Sequence, residues 1–222
     1  MSARASMLSK LRACAPATAP DMPDVAGYYA GRPASTQAER VERLRAELTA
    51  SHADVHVVSH AGWAGAVAQL LHAQGVRRLV RQSGAPGDSL ARALPPALQA
   101  SEFGRPLDEW KAELFEQVDA GFTVADCAIA ATGTLVHLCG PHMPRTLSLV
   151  PPLHVVLIDA ERIYATLFEA ADGERWAARM PSNLVMLSGP SKTADIQQTL
   201  AYGAHGPARL CVFIACEQGE AA

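Results

Sequence analysis

The residues best suited to chemistry lie in one run near the carboxyl end of the chain, from Gly189 to Ile196. An apolar segment, residues 185–187, precedes this run and predicts a strand, and Gly189-Pro190 predicts a turn after it. Ser191 is then placed to cap a helix, whose first turn offers free amide groups and a positive dipole end to an anion. We therefore expect an anion site formed by Gly189, Ser191, Lys192 and Thr193.

Asp195 and His205 are the two candidates for a catalytic role. Asp195 falls in the first turn of the predicted helix, where its charge suits the helix dipole but repels a phosphate. Its alternatives are to bind a sugar hydroxyl, to pair with Arg145 or His205, or to order the turn. His205 lies in a Gly-Ala-His-Gly-Pro turn, which exposes an imidazole whose charge changes near neutral pH. A structural alternative for His205 is a hydrogen bond to a backbone carbonyl.

Two further segments carry groups suited to a ligand. Thr132-Gly133-Thr134 offers amides and hydroxyls, although tight packing explains these small residues equally well. Arg145 lies in a predicted loop, residues 141–152, and a guanidinium binds a carboxylate through two parallel hydrogen bonds. The complete set of predicted ligand contacts is Thr132, Gly133, Thr134, Arg145, Gly189, Ser191, Lys192, Thr193, Asp195, His205 and Gly206.

The composition of the chain argues against several classes of function. The chain has 222 residues and a net charge of -3, which does not suggest a nucleic-acid surface. No apolar run reaches the roughly 20 residues that span a bilayer. Its five cysteines form no Cys-x-x-Cys pair, so the sequence predicts neither a metal site nor an iron–sulfur cluster in this chain. Unpaired thiols in apolar surroundings favour a cytoplasmic protein.

The elements that must position these residues alternate between helix and strand. A flexible leader is expected over 1–34, a single α/β domain over 35–216 and a tail over 217–222. The prolines of the leader argue against a long helix there, although its basic, non-acidic start also allows a transit peptide. A capping box at Thr36–Glu39 predicts a first helix to about Ala50. Further strands are predicted at 55–58, 76–80, 134–138, 154–158 and 210–214; further helices at 60–74, 88–94, 101–118, 163–168 and 191–203; and a break at Gly121.

Four ordered motifs resemble those of one protein family. They are Gly121-Phe122-Thr123, the segment 130–134 (Ala-Ala-Thr-Gly-Thr), the run 189–196 (Gly-Pro-Ser-Lys-Thr-Ala-Asp-Ile) and the turn 203–207. Together they resemble the LUD domain, and specifically the lactate utilisation protein C (LutC/YkgG) family, most clearly over residues 121–214. The resemblance implies an α/β fold like that of NagB, RpiA and the CoA transferases. That fold has a mostly parallel sheet with helices on both faces, here preceded by a helical N-terminal segment.

The resemblance also implies a function. The family acts with two iron–sulfur partner subunits in oxidising L-lactate to pyruvate, so this chain would be a cofactor-free component of an oxidoreductase complex, with the clusters in its partners. Its own ligand would be a small carboxylate or a phosphate-bearing molecule, and a homo-oligomer is possible. Two positions depart from the family pattern: Ala131 stands where Glu is usual, and Lys192 where Arg is usual. Lysine keeps the charge but loses the planar fork of arginine.

Two other functions stay open at this point. One is a free-standing enzyme on the same scaffold, such as an acyl-CoA transferase, a sugar-phosphate isomerase or a folate-type ligase. The missing Glu at Ala131 argues against the CoA transferase, whose nucleophile is a glutamate. The other is a regulatory subunit that binds a carboxylate without turnover.

Overall fold

The chain forms two compact units, residues Met1–Ala34 and Ser35–Ala222. A computed structural model describes residues 2–16, 21–31, 33–194 and 200–217. The helices are α1 (Ala3–Ala13), α2 (Val25–Ala30), α3 (Gln37–Ala50), α4 (Trp63–Ala73), α5 (Ala85–Ala93), α6 (Leu107–Glu116), α7 (Arg145–Leu149), α8 (Leu167–Gly173) and α9 (Trp176–Arg179). The strands are β1 (Asp54–Ser59), β2 (Arg78–Arg81), β3 (Gln99–Glu102), β4 (Ala120–Val124), β5 (Cys127–Ile129), β6 (Thr134–Leu138), β7 (Leu153–Asp159), β8 (Ile163–Tyr164), β9 (Leu184–Leu187), β10 (Lys192–Ala194), β11 (Leu200–Tyr202) and β12 (Arg209–Cys216).

The first unit carries the helices α1 and α2. The side chain of Ser2 caps α1 by accepting from the amide of Ala5 at 3.3 Å, and Asp24 caps α2 in the same way. The 11 residues of α1 make it longer than the prolines led us to expect. Its length follows from their placement, because the first proline of the chain, Pro16, lies beyond its end.

A six-stranded sheet forms the centre of the second unit, in the order β1-β12-β7-β4-β2-β3, and every pair in it is parallel. The apolar side chains alternate between its two faces. On one face, Leu44 and Leu48 of α3 pack with Val156 and Val212. On the other, helices α4 and α5 contribute the buried side chains Val67, Leu71 and Leu90. The predicted fold class, a mostly parallel sheet with helices on both faces and a helical N-terminal segment, is therefore confirmed.

A second sheet of four strands, in the order β8-β5-β6-β9, packs into the same core as α3. Its Ala128, Leu135 and Ile163 are buried with the residues of the central sheet. The pairs β5–β6 and β6–β9 are antiparallel, and β5–β8 is parallel. The predicted strand at 185–187 belongs to this sheet. The sequence does not separate two sheets, because both consist of short apolar runs.

The helix predicted over 191–203 is wrong where the structure describes it. Lys192–Ala194 and Leu200–Tyr202 are strands that pair antiparallel, Lys192 opposite Tyr202. The backbone of Ser191 explains the difference, since its N–H donates to the carbonyl of Pro207 at 2.8 Å and its own carbonyl accepts from Gly203 at 3.0 Å. These long-range bonds hold the segment extended and override the weak local preference for helix.

Other elements also differ from the prediction. Gly121 is no break but lies inside β4, where an added Cβ would meet the Leu147 carbonyl oxygen at 2.5 Å. Glycine is needed there because the chain of α7 approaches the strand so closely. Arg145 begins a short helix instead of lying in a loop, and α5 begins at Ala85, before the predicted start at 88. The short strands β3, β5 and β8 were not predicted.

Candidate functional site

Three of the sequence motifs meet at one place, which we call the motif cluster: residues 132–134, 188–193 and 203–207. The Thr134 hydroxyl contacts the hydroxyl of Thr132 at 2.7 Å and that of Ser188 at 2.8 Å. Ser188 follows β9, whereas Thr134 begins β6. The two motifs are thus joined because β6 and β9 are antiparallel neighbours.

Two glycines allow the motif cluster to pack closely against the carboxyl end of α3. Gly133 has a φ of 59°, and a Cβ there would lie 2.7 Å from the Cβ of Glu47. Gly189 has a φ of 144°, and a Cβ there would lie 2.7 Å from the Ser51 carbonyl oxygen. Both positions combine a backbone conformation that favours glycine with close contact to the helix. Packing therefore explains why glycine is needed at both positions.

Ser191 joins the second and third motifs. Its hydroxyl accepts from the backbone amide of His205 at 3.3 Å, and a Cβ on Gly206 would lie 3.2 Å from the Ser191 Cβ. Ser191 therefore orders the 203–207 turn instead of capping a helix.

The charged groups of the motif cluster face solvent. Lys192 and His205 are exposed, and Thr193 is half-buried. Among the described residues no ion pair joins Lys192 to a carboxylate. Asp195, the other catalytic candidate, lies outside the described residues. The described chemistry of the motif cluster is therefore one ammonium group and one imidazole beside a rigid, internally bonded turn.

A cavity of about 260 Å³ adjoins the motif cluster. It lies at the amino-terminal ends of β1 and β12. The reason is that Gly206-Pro207 leads directly into β12. The cavity is lined by His52, Asp54, Pro190, Tyr202, Ala208, Arg209, Leu210 and Cys211.

His52 shows how this cavity is built. His52 has a φ of 67°, and its amide donates to the carbonyl of Thr49. The amide of Ala53 donates to the carbonyl of Leu48. These two bonds form a Schellman motif that ends α3. The His52 ring then packs edge-on against Tyr202, with ring centroids 6.1 Å apart. Sequence analysis missed this contact, although a histidine just after a helix end, where glycine is usual, is a signal for a special role.

Arg145 is not brought to the motif cluster by any described contact. Its charge acts on Cys139, and β6 separates Cys139 from Thr134 by roughly 16 Å, at about 3.3 Å per residue. The neighbouring His142 approaches Ser83, with Nδ1 and Oγ 3.1 Å apart. Arg145, which we expected to bind a carboxylate, therefore lies in a different region from the motif cluster.

Sequence analysis also missed a polar cluster between the two sheets. His137 of β6 and His154 of β7 are fully buried, with ring centroids 5.9 Å apart. His154 Nε2 lies 2.8 Å from the Thr123 hydroxyl, but His154 Nδ1 and both ring nitrogens of His137 have no hydrogen-bond partner among the described residues. No signal marked this pair, because each histidine stands alone in an apolar strand.

Burial sets the protonation state of this pair. It lowers the pKa of His137 to about 4, which the backbone of Val124 offsets only in part. It lowers the pKa of His154 well below the ordinary value, and the neighbouring His137 lowers it further. Both rings are therefore neutral at neutral pH.

The thiols inside the fold are unreactive. Burial raises the pKa of Cys127 to about 12 and that of Cys211 to about 11, and neighbouring carboxylates raise both further. Burial also raises the pKa of Cys139. Since the thiolate is the nucleophile, none of the three is suited to covalent catalysis at neutral pH.

The described part of the chain contains no cluster of three histidine, cysteine, aspartate or glutamate side chains arranged to hold a metal ion. None of its helices has the length and hydropathy that a bilayer-crossing segment needs.

The fold and its three converging motifs define a LUD domain. The family model of that domain matches residues 41–215, so the chain belongs to the LUD domain family.

The chain is similar over nearly its whole length to "Uncharacterized protein NMB1437" of Neisseria meningitidis serogroup B, with 38% identity over 218 residues, 96% of this chain and 93% of the relative. It is 36% identical over 110 residues to "Lactate utilization protein C" of Halalkalibacterium halodurans, a match that covers 46% of each chain. A similar match joins it to the protein of that name from Exiguobacterium, 36% identical over 102 residues and 44% of each chain. The matches to these lactate utilisation proteins thus span about half of their length.

Among solved structures, a DUF162 family protein from Deinococcus radiodurans is similar in fold, with a TM-score of 0.65 and 26% identity. The alignment covers 82% of this chain and 100% of that chain.

Proposed function

We propose that this protein takes part in lactate utilisation, as the cluster-free subunit of an iron–sulfur complex that oxidises L-lactate to pyruvate. The observation that carries the proposal is the sequence identity with lactate utilisation protein C, 36% over 110 residues, within a chain that belongs to the LUD domain family. The oxidation releases two electrons and two protons, and clusters in the partner subunits take up the electrons. This division of labour agrees with a chain whose buried thiols are held protonated.

The ligand of this subunit is a small carboxylate, bound at the motif cluster. Lys192 supplies the charge, and His205 beside it is suited to donate to a carboxylate or to exchange a proton with it. The support for this placement is the backbone of the two residues: Ser191 bonds the 203–207 turn through the His205 amide, and Lys192 follows Ser191 directly. A site whose backbone is ordered before the ligand arrives loses less entropy on binding.

The complex is tested in cells. Deleting the gene should abolish growth on L-lactate while leaving growth on pyruvate unchanged. An affinity-tagged chain, purified under anaerobic conditions from cells grown on lactate, should bring down proteins with the broad visible absorbance of iron–sulfur clusters. Normal growth on lactate together with a preparation that contains no cluster would overturn the proposal.

Ligand binding is tested separately on the purified chain. Titration calorimetry with L-lactate and pyruvate should detect binding, and Lys192→Ala and His205→Ala should each weaken it at least tenfold. Lys111→Ala is the matched control, because Lys111 is an exposed lysine on α6 with no part in the motif cluster. Binding that is unaffected by the two site variants would place the ligand elsewhere.

A further inference from the structure

The edge of the central sheet at β1 is open. In the described part of the chain, β1 pairs with β12 and with no other strand. An edge strand presents a row of free backbone groups, and proteins usually protect such edges with lysine, proline or a bulge. Here the six residues are Asp-Val-His-Val-Val-Ser, with none of these devices, and Val57 is 37% exposed.

A groove of about 650 Å³ runs beside this edge, between β1 and α4. Val58, Leu70 and Phe213 give it an apolar lining. On the helix side, the small side chains Ala66 and Ala73 leave room for an approaching chain.

The backbone of β1 fixes how a second strand would pair. The amide of His60 donates to the carbonyl of Cys216 at 3.1 Å, toward β12. In a parallel pair, alternate residues direct both of their backbone groups to the partner. His56 and Val58 therefore bond inward, while Val55 and Val57 present their N–H and C=O groups outward. Ser59 directs its N–H outward, but its C=O already accepts from the Gly62 amide at 3.0 Å.

We propose that the occupant of this edge is the β1 strand of a second copy of the chain, in an antiparallel dimer with a twofold axis at Val57. Only one antiparallel register uses all three outward residues in a symmetric way. It sets Val57 opposite Val57 of the other copy, and Val55 opposite its Ser59. Each hydrogen-bonded antiparallel pair exchanges two bonds, but the Ser59 carbonyl of each copy is already bonded to Gly62, so this register forms about four.

Charge complementarity supports a second copy as the partner. The same register, chosen on backbone bonding alone, places Asp54 of each copy opposite His60 of the other. Within the chain, Asp54 Oδ2 lies 3.2 Å from His56 Nε2 and His60 Nδ1 lies 3.9 Å from Asp159 Oδ2, but Asp54 is 55% exposed and His60 is 41% exposed, so both side chains are accessible to a second copy. A twofold axis makes this acid–imidazole contact twice, and it brings the two α4 helices to the same face of a twelve-stranded sheet. The inference does not depend on the proposed ligand or on lactate.

The full chain should therefore sediment as a dimer, at twice its mass of 23.5 kDa, at micromolar concentration. Val57→Lys should weaken dimerisation at least tenfold, because it puts two like charges on the twofold axis. The matched control is Phe115→Lys on α6, which introduces the same charge at a side chain that is 58% exposed and should leave the dimer intact. Circular dichroism checks that both variants are folded.

A charge swap tests the register. His60→Asp should weaken the dimer, since it sets two carboxylates opposite each other, and the double variant Asp54→His with His60→Asp should restore it. A monomeric wild-type chain, or a dimer that Val57→Lys leaves unchanged, would overturn the proposal. A dimer weakened by Val57→Lys but not rescued by the swap would overturn the register.

Discussion

The motif cluster and the buried histidine pair differ in the hydrogen bonding and solvent exposure of their polar groups. In the motif cluster, the hydroxyls of Thr134 and Ser191 are hydrogen-bonded within the chain, and the charged groups of Lys192 and His205 face solvent. Between the sheets, His137 and His154 are fully buried, and three of their four ring nitrogens lack a partner in the described chain.

The difference shows that the motif cluster matters for backbone geometry and the histidine pair for the dependence of stability on pH. The motif cluster is easily recognised in the sequence, because its backbone conformation requires glycines and hydroxyl side chains at particular positions. The histidine pair is inconspicuous, yet an unpartnered buried polar group costs about 1–3 kcal/mol. A sequence motif therefore indicates a particular backbone geometry. Sensitivity to pH follows instead from the burial of titratable side chains, which a sequence pattern does not reveal.

The largest effect is expected at Gly133. Gly133→Ala should lower the free energy of unfolding by about 3 kcal/mol, because the left-handed backbone costs a non-glycine residue about 1–2 kcal/mol and crowding against Glu47 adds to it. Urea denaturation measures the change. Gly65→Ala is the control, since Gly65 lies in α4 with open space at its Cβ, and this change should stabilise the protein by up to about 1 kcal/mol. Equal effects of the two variants would refute the packing explanation.

The histidine pair should produce the next largest effect, as a dependence on pH. The unfolded chain has a histidine pKa of about 6.5 and folded His137 has one of about 4, so between these values the unfolded chain binds more protons. The contribution is constant above pH 6.5 and is lost as the pH falls toward 4. Between pH 7 and pH 5, His137 alone should cost about 2 kcal/mol of stability.

His137→Phe isolates this contribution. The substitution removes the titrating group and fills the site with an apolar ring, so the loss of stability between pH 7 and pH 5 should shrink by that amount. Paired urea titrations at the two pH values give the difference independently of any constant effect on packing. If the wild type and the variant lose the same stability, the His137 ring is not held neutral by the fold.

A smaller effect is expected for Thr134→Val. The change keeps the shape of the side chain but removes the hydroxyl that Thr132 and Ser188 share, and should destabilise the fold by about 1 kcal/mol. Ser188→Ala in the Thr134→Val background should then add little, because the partner is already gone. Additive effects in thermal melts would mean that the two hydroxyls do not form one unit.

The smallest effect on stability belongs to the exposed groups. Lys192→Ala and His205→Ala should each change the free energy of unfolding by less than about 0.5 kcal/mol, since neither side chain is buried. The same chemical denaturation assay measures both. A loss of several kcal/mol would mean that these residues maintain the fold, and would remove the reason to assign them to a ligand.

The sequence predicted the fold better than the arrangement of the candidate site. The capping box of α3 is present, with Glu39 and Thr36 bonded to each other, because such a box needs only residues three apart. Strand β7 was predicted from its apolar run, since burial on both faces leaves that pattern. The hairpin at Lys192–Ala194 was not predicted, because bonds from Ser191 to residues more than ten positions away impose it.

The same limit applies to the site residues. Ser188 adjoins a predicted motif but was passed over, because its role comes from Thr134 on an antiparallel neighbour. Arg145 was grouped with the motif residues on chemistry alone, and the length of β6 keeps it from them. A local sequence pattern predicts a turn or a helix cap. Which turns lie close together depends on the order and pairing of the strands.

The position of β12 has a consequence for how the chain is made. The last strand of the domain lies between β1 and β7, and Cys216 contacts Val58 across 158 positions of sequence. During synthesis β1 leaves the ribosome long before β12, so the β1 edge stays unpaired until the segments between them have appeared. Pairing across so long a separation favours slow folding.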